Sequence, residues 1–222
     1  MSRTPVPRPL RWLISVVLVG GIVLGLSGRW TDPILLTYVG VWAVAGLLGT
    51  VLVPDETVQA RLRGGPAGAD RLGLVAFRVL GPAHLVIGAL DAGRFHWSAG
   101  IAPSVRLAAI AGLGVALAWM FWAVAVNRFF MPAVRIQSER GHHVISTGPY
   151  ALVRHPGYAG MCVAMPLSAL GLGSWAALLV ALAMSGFVLR RVAIEDRFVR
   201  GELPGYGEYA DRVRYRLIPG VW

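Results

Sequence analysis

The residues able to do chemistry are gathered in two stretches. The first runs from Arg135 to Tyr158 and holds Gln137, Glu139, Arg140, His142, His143, Tyr150, Arg154 and His155; the second holds Arg190, Arg191, Glu195 and Asp196, then Tyr206, Glu208, Tyr209 and Arg212. Polar groups of this kind are costly near lipid unless they have a partner or a job. Arg191 and Glu195 are four apart, so on a helix they set a cation and a carboxylate on one face. Pro149 and Pro156 restrict the first stretch and keep it out of regular helix, which frees its backbone groups to reach a ligand. Several familiar chemistries are excluded. No glycine-rich loop lies between a strand and a helix to cradle phosphates. His142 and His143 are adjacent, about 100° apart on a helix, and cannot chelate one ion as an i, i+4 pair would, so no metal site is expected. There is no nucleophile elbow. Cys162 stands alone in an apolar run, without a partner for a disulfide or redox pair, and reads as a small buried hydrophobe.

These stretches must be held by membrane helices. Of the 222 residues, 56% are hydrophobic and 14% charged, against roughly 25% charged in a soluble domain. Mean hydropathy is +0.62. An all-α polytopic membrane protein follows, with no strand alternation of barrel type and no internal repeat of the transporter kind. Uncharged runs predict spans at Trp12–Gly28, Pro33–Pro54, Leu72–Leu90 and Leu107–Asn127. The first resembles a signal peptide but reads as a retained helix. The third is expected to be broken by Arg78 and by Gly81 and Pro82, and it carries His84. His155–Leu189 is a 35-residue run without Asp, Glu, Lys or Arg. As one helix it would measure about 52 Å, too long for a core of about 30 Å. Gly171 to Ser174 is the expected turn of a helical hairpin with two rather short arms, the second continuing through Arg190, Arg191 and Glu195. About six transmembrane helices result. Residues 1–128 carry helices one to four and 129–222 form the catalytic region, integrated as one domain.

Every basic residue is arginine, and the net charge is +10. With both termini inside, 17 arginines fall on the inner side, from Arg3 and Arg63 to Arg216, and only Arg29, Arg94 and Arg106 on the outer side. The positive-inside rule and anionic lipid account for this basicity, so no nucleic-acid partner is expected. The absence of lysine and the short loops suggest a bacterial cytoplasmic membrane, with the polar loop on the cytoplasmic side.

Read in order, Gly148-Pro149-Tyr150, then Arg154-His155-Pro156 with Tyr158, then Arg191 with Glu195 and Asp196, then Tyr206, Glu208, Tyr209 and Arg212, and finally Leu217 with Pro219, resemble the isoprenylcysteine carboxyl methyltransferase family and its relatives, the phospholipid N-methyltransferases. The resemblance covers about the last 90 residues, from Gln137 to Pro219. It implies S-adenosyl-L-methionine as methyl donor and S-adenosyl-L-homocysteine as product, bound by the loop without a Rossmann fold. It implies a cofactor shell of Gln137, His142, His143, Val144, Ile145, Tyr150, His155, Pro156, Gly157, Tyr158 and Glu195. Arg191 would face the methyl acceptor, and Arg191 and His155 would be the catalytic pair. Two features depart from the pattern: Gln137 lies closer to His142 than in eukaryotic members, and His143 replaces a small polar residue.

The residue types fit that reading. A carboxylate such as Glu195 can hold the cofactor's ammonium, and Tyr150 or Tyr158 can stack on adenine or face the sulfonium. A carboxylate acceptor on a lipophilic, isoprenylcysteine-like molecule needs no general base. An amine of a phospholipid headgroup or a small thiol must lose a proton, which makes His155 or a tyrosine a candidate base. A non-enzymatic reading is a small transporter or membrane adaptor. No obligate protein partner is implied, only membrane lipid and the acceptor. Simpler readings stand beside these: Tyr150, Tyr158, Trp12 and Trp175 as interfacial aromatics, Arg190, Arg191 and Arg197 as topology signals, Arg191–Glu195 as a solvated pair, and His84 and Arg78 as polar glue or the lining of a lateral opening.

Overall fold

The structure, a computed structural model, describes residues 6–63, 70–98 and 100–222, apart from the side chains of residues 62 and 63. Arg3, the Arg63 side chain and most of the 61–70 loop lie outside the described residues. Eight α-helices follow one another among the described residues: α1 (Arg8–Gly20), α2 (Pro33–Leu52), α3 (Asp55–Arg63), α4 (Arg71–Leu90), α5 (Pro103–Val126), α6 (Pro156–Leu172), α7 (Trp175–Glu202) and α8 (Tyr206–Arg212). Wider π-turns extend α1 over Gly21–Gly25 and α4 over Asp91–Phe95. The starts follow local chemistry. Pro33, Pro103 and Pro156 take first-turn positions, where a missing N–H costs nothing. The Asp32, Asp70 and Ser174 side chains cap α2, α4 and α7.

Among the described residues, five helices are long and apolar enough to cross a membrane: α1 and α4 with their π extensions, α2, α5 and α7. The sixth expected span is α6, whose 17 residues reach only about 26 Å. The hairpin turns where the glycines predicted. Gly173 adopts φ +81°, a left-handed conformation that favours glycine, and Ser174 starts the next helix. The second arm continues through Arg190, Arg191 and Glu195 as expected, and α7 runs unbroken for 28 residues. One expectation is corrected: the third span is not broken, because α4 continues through Pro82. A single proline removes one backbone bond, and packing against α7 keeps the helix continuous.

Helix α6 is the centre of the bundle, against α5 on one side and α7 on another, while α4 packs along α7 and α2 along α5. Small residues permit this. A Cβ at Gly160 would stand 3.1 Å from the Ala116 carbonyl oxygen and 3.0 Å from Met120 Cβ, so glycine lets α6 lie directly on α5. The buried His84 is polar glue. Its Nε2 lies 3.0 Å from Ser168 Oγ, which also meets the Tyr38 hydroxyl at 2.6 Å, tying α4, α6 and α2 together.

Arginine contacts close both ends of the bundle. At one end Arg8 and Arg11 pair with Asp55, and Arg190 pairs with Asp70 at 2.6 Å. At the other, Arg29 and Arg94 bond to the carbonyls of Ala92 and Leu26, Arg106 reaches the Gly171 carbonyl, and Asp91 accepts from Ser98 and Ser174.

Candidate active site

Between α5 and α6 the chain leaves helical geometry and folds across the first of these ends. Gln137 organises it. Its side chain is fully buried, Nε2 donates to the Phe129 carbonyl at 2.7 Å, and Oε1 accepts from Arg140 at 2.7 Å. Short turns at Ser138–Arg140 and Gly148–Ala151 bend the loop. The Tyr209 hydroxyl fixes it from the far side by donating to the Tyr150 carbonyl at 2.7 Å.

Asp196 is the hub beneath the loop. It is 4% exposed. It accepts from Arg154 Nε and Nη2 (2.8 and 3.1 Å), from the Tyr206 hydroxyl (2.9 Å) and from Arg216 Nε (2.9 Å), and lies 3.2 Å from His155 Nε2. Backbone bonds from Arg154 and His155 to the carbonyls of Tyr215 and Arg216 strap the C-terminal segment over the same place. Burial and the Asp196 carboxylate together push the Tyr206 hydroxyl far above its ordinary pKa, so it remains a protonated donor.

Above this hub lies a narrow cavity of about 80 Å³. Eight of the eleven residues of the inferred cofactor shell line it: His142, His143, Val144, Ile145, Tyr150, His155, Tyr158 and Glu195. Gln137, Pro156 and Gly157 stand behind the wall. Pro156 starts α6 and its carbonyl accepts from Trp119. Gly157 makes room for Phe130, whose Cε2 would be 2.9 Å from an added Cβ.

Arg191 does not line this cavity. It lines a second one of about 270 Å³, separated from the first by Phe130, Met131 and Tyr158, which border both. A polar relay crosses that wall. Arg191 Nε donates to the Tyr158 hydroxyl at 2.8 Å, and the hydroxyl donates to Glu195 Oε2 at 2.7 Å. Arg191 is 1% exposed. It also donates to the Pro132 carbonyl and faces Asp70 at 3.6 Å, while its Nη1 makes no hydrogen bond. The two members of the Arg191–Glu195 pair, 3.9 Å apart, therefore look into different cavities.

His142 leans on Phe129, with ring centroids 4.4 Å apart, and its Nδ1 accepts the Gln137 backbone N–H. Burial, then the neighbouring His143, Arg135 and Arg140, lower its pKa from 6.5 to about 4. A neutral imidazole thus faces the cavity at physiological pH. The linkage runs in one direction. Between about 6.5 and 4 the unfolded loop binds a proton that the folded loop refuses, so acid loosens the loop. Amide exchange over Gln137–Ile145, corrected for intrinsic rates, is expected to rise as pH falls through that window, and His142→Asn should flatten the rise.

Several lining residues carry no role in the sequence reading. Asn127, Phe129, Phe130 and Met131 sit where α5 ends, and Val199, Leu203, Tyr206 and Tyr209 come from α7, the turn after it and α8. Most are ordinary apolar residues, and only the fold shows that they share a wall. Asp196 stands beside Glu195 in the motif but has no assigned task there. Asp70 carries no role in the sequence reading either.

Fold and site define an all-α, multi-pass integral membrane protein with a two-chambered site at one end of its helices. Residues 106–200 match the model of the isoprenylcysteine carboxyl methyltransferase (ICMT) family. The chain is similar to the cobalt-zinc-cadmium resistance protein CzcN of Cupriavidus metallidurans, 31% identical over 130 residues, or 57% of this chain and 56% of that one. It is also similar to a probable protein-S-isoprenylcysteine O-methyltransferase of Oryza sativa, in both subspecies indica and japonica, 32% identical over 96 residues, or 42% of this chain and 50% of that one. The chain thus spans about half the length of the curated relatives it matches.

Proposed function

We propose that the protein is a membrane methyltransferase that uses S-adenosyl-L-methionine and methylates the carboxylate of a lipophilic, isoprenylcysteine-like acceptor. The observation that carries this reading is the pair of cavities sharing one wall. One is lined by aromatic rings and histidines around a single carboxylate. The other is lined by apolar side chains together with buried Arg191, Arg61 and Arg78. A water-soluble cationic donor and a lipid-soluble acid can then meet at Tyr158 without mixing.

The donor set of the first cavity fits S-adenosyl-L-methionine. Glu195, with about a quarter of its side chain exposed, is placed to accept from an ammonium. Tyr150, Tyr158 and Phe129 offer ring faces to a flat base or to a cation, and neutral His142 adds no repulsion. Bound there, the cofactor supplies an electrophilic methyl group on a sulfonium that leaves as a neutral thioether. The chain's own work is to hold the acceptor in line, strip its water and keep bulk water out. Arg191 supplies the positive charge that orients the acid. Phe130, Met131 and Tyr158 narrow the junction. His155, with Nε2 committed to Asp196, is a wall rather than a base, which suits a carboxylate acceptor that arrives already ionised.

The cofactor end faces the cytoplasm in this reading, with both termini on the same side. A reporter fused at Gly173 should report the opposite side from one fused after Trp222; the same side for both would reject this topology. The chemistry is tested by a labelled-methyl transfer assay with a prenylcysteine, phosphatidylethanolamine, a fatty acid and a thiol as acceptors. Label should enter the prenylcysteine and be released as methanol by mild alkali, as from an ester. Alkali-stable label on an amine or sulfur, or no transfer to any acceptor, would overturn the carboxylate reading.

A further inference from the structure

The acceptor cavity holds more positive charge than one carboxylate needs. Arg61 from α3, Arg78 from α4 and Arg191 from α7 all line it, and no acidic residue does. Asp70 and Glu195, which meet residues of its lining, are already engaged. Asp70 binds Arg190 at 2.6 Å and faces Arg191 at 3.6 Å, and Glu195 takes the Tyr158 hydroxyl on the other side of the wall. Arg61 has no acid. Its guanidinium lies 5.3 Å from the centre of the Phe130 ring and reaches the Phe130 carbonyl at 3.4 Å.

Arg78 is the more telling residue. It is exposed and sits two turns inside the membrane helix α4. Among the described residues it makes no hydrogen bond, ion pair or ring contact. An arginine at that depth is costly unless it serves a site or reaches headgroup phosphates. Phe77 and Leu74, one position and one turn away, line the same cavity, so Arg78 stands on the cavity side of α4.

We propose that Arg61 and Arg78 form a second anionic subsite in the acceptor cavity, so that the preferred acceptor carries an acidic group besides the one held by Arg191. This rests on the reading of that cavity as the acceptor site and narrows the substrate class to lipophilic molecules with two acidic groups on one head. The apolar lining from Leu74, Phe77 and Met161 takes the lipid chain, Arg191 takes the acid that is methylated, and the Arg61–Arg78 pair takes the other.

The test compares two amphiphiles with the same farnesyl thioether chain, one ending in a single carboxylate (farnesylthioacetate) and one in two (farnesylthiosuccinate). Binding is measured by calorimetry on the full-length protein in neutral detergent. The diacid should bind about tenfold or more tightly than the monoacid in the wild type. Arg61→Gln and Arg78→Gln should each remove most of that advantage while leaving monoacid affinity within about twofold, and Arg78→Lys should keep part of it. Equal affinity for the two amphiphiles in the wild type, or an advantage that survives both glutamine variants, would overturn the proposal. So would an Arg78-dependent binding of short-chain phosphatidylglycerol that abolishes the diacid advantage, because the subsite would then belong to a membrane lipid. S-adenosylhomocysteine binding in the same preparation separates the two levels. Its absence beside an intact diacid preference would remove the methyltransferase reading and leave the subsite standing.

Discussion

Asp196→Asn should destabilise the fold by roughly 3–5 kcal/mol, the usual cost of removing one partner from a buried charged network. The side chain accepts from Arg154, Tyr206 and Arg216 and contacts His155. Asparagine keeps one acceptor oxygen and loses the charge. Arg216, about a third exposed, can turn to water, whereas Arg154, 7% exposed, cannot. The cost is therefore concentrated at Arg154 and at the strap formed by residues 213–217. Thermal unfolding in detergent, with amide exchange across that strap, reads the effect. The neighbouring carboxylate gives the control. Adjacent helical residues point about 100° apart, so Glu195 faces the cavity while Asp196 faces the strap. Glu195→Gln retains an acceptor for Tyr158 and should leave the unfolding temperature nearly unchanged. Equal destabilisation by the two variants would mean that both residues are structural.

Arg191→Ala should lower kcat/KM for a carboxylate acceptor by about 30-fold to several-thousand-fold, the range that follows from losing roughly 2–5 kcal/mol of a buried charged contact. The fold should survive, because Asp70 retains Arg190 and the Gly73 N–H. Arg191→Lys should restore only part of the activity, since an ammonium cannot grip a carboxylate in two places. The sequence alone predicts that cofactor affinity stays intact in Arg191→Ala. The relay through Tyr158 modifies that expectation, because the hydroxyl that Arg191 orients is bonded to Glu195. A modest loss of S-adenosylhomocysteine affinity, severalfold, should accompany the large loss of turnover, and Tyr158→Phe should reproduce it. A loss of cofactor affinity as large as that of Glu195→Gln would make Arg191 and Glu195 a structural pair.

Much of this was legible before folding because it is written in local chemistry. Uncharged runs between arginines fix the spans. Prolines and capping side chains fix where helices begin, and Gly173 with Ser174 fixes the hairpin. The loop residues His142 to Tyr158 meet on one cavity because a short segment cannot spread far. What stayed hidden depends on partners distant in the chain. Asp196 meets Arg154 across 42 positions, and Asp70 meets Arg190 across 120. No local pattern pairs them. Arg61 and Arg78 belong to one cavity only after α3 and α4 are brought beside α7. Pro82 misled for a related reason: its propensity to break a helix is local, and the packing that overrides it along α7 is not.

The most direct test of the central claim is calorimetric titration of S-adenosylhomocysteine into the detergent-solubilised protein and its Glu195→Gln variant. The account predicts one binding site per chain in the wild type, weakened by about 30-fold or more in the variant while the unfolding temperature stays the same. No binding to the folded wild type, or equal affinity in the variant, would contradict it.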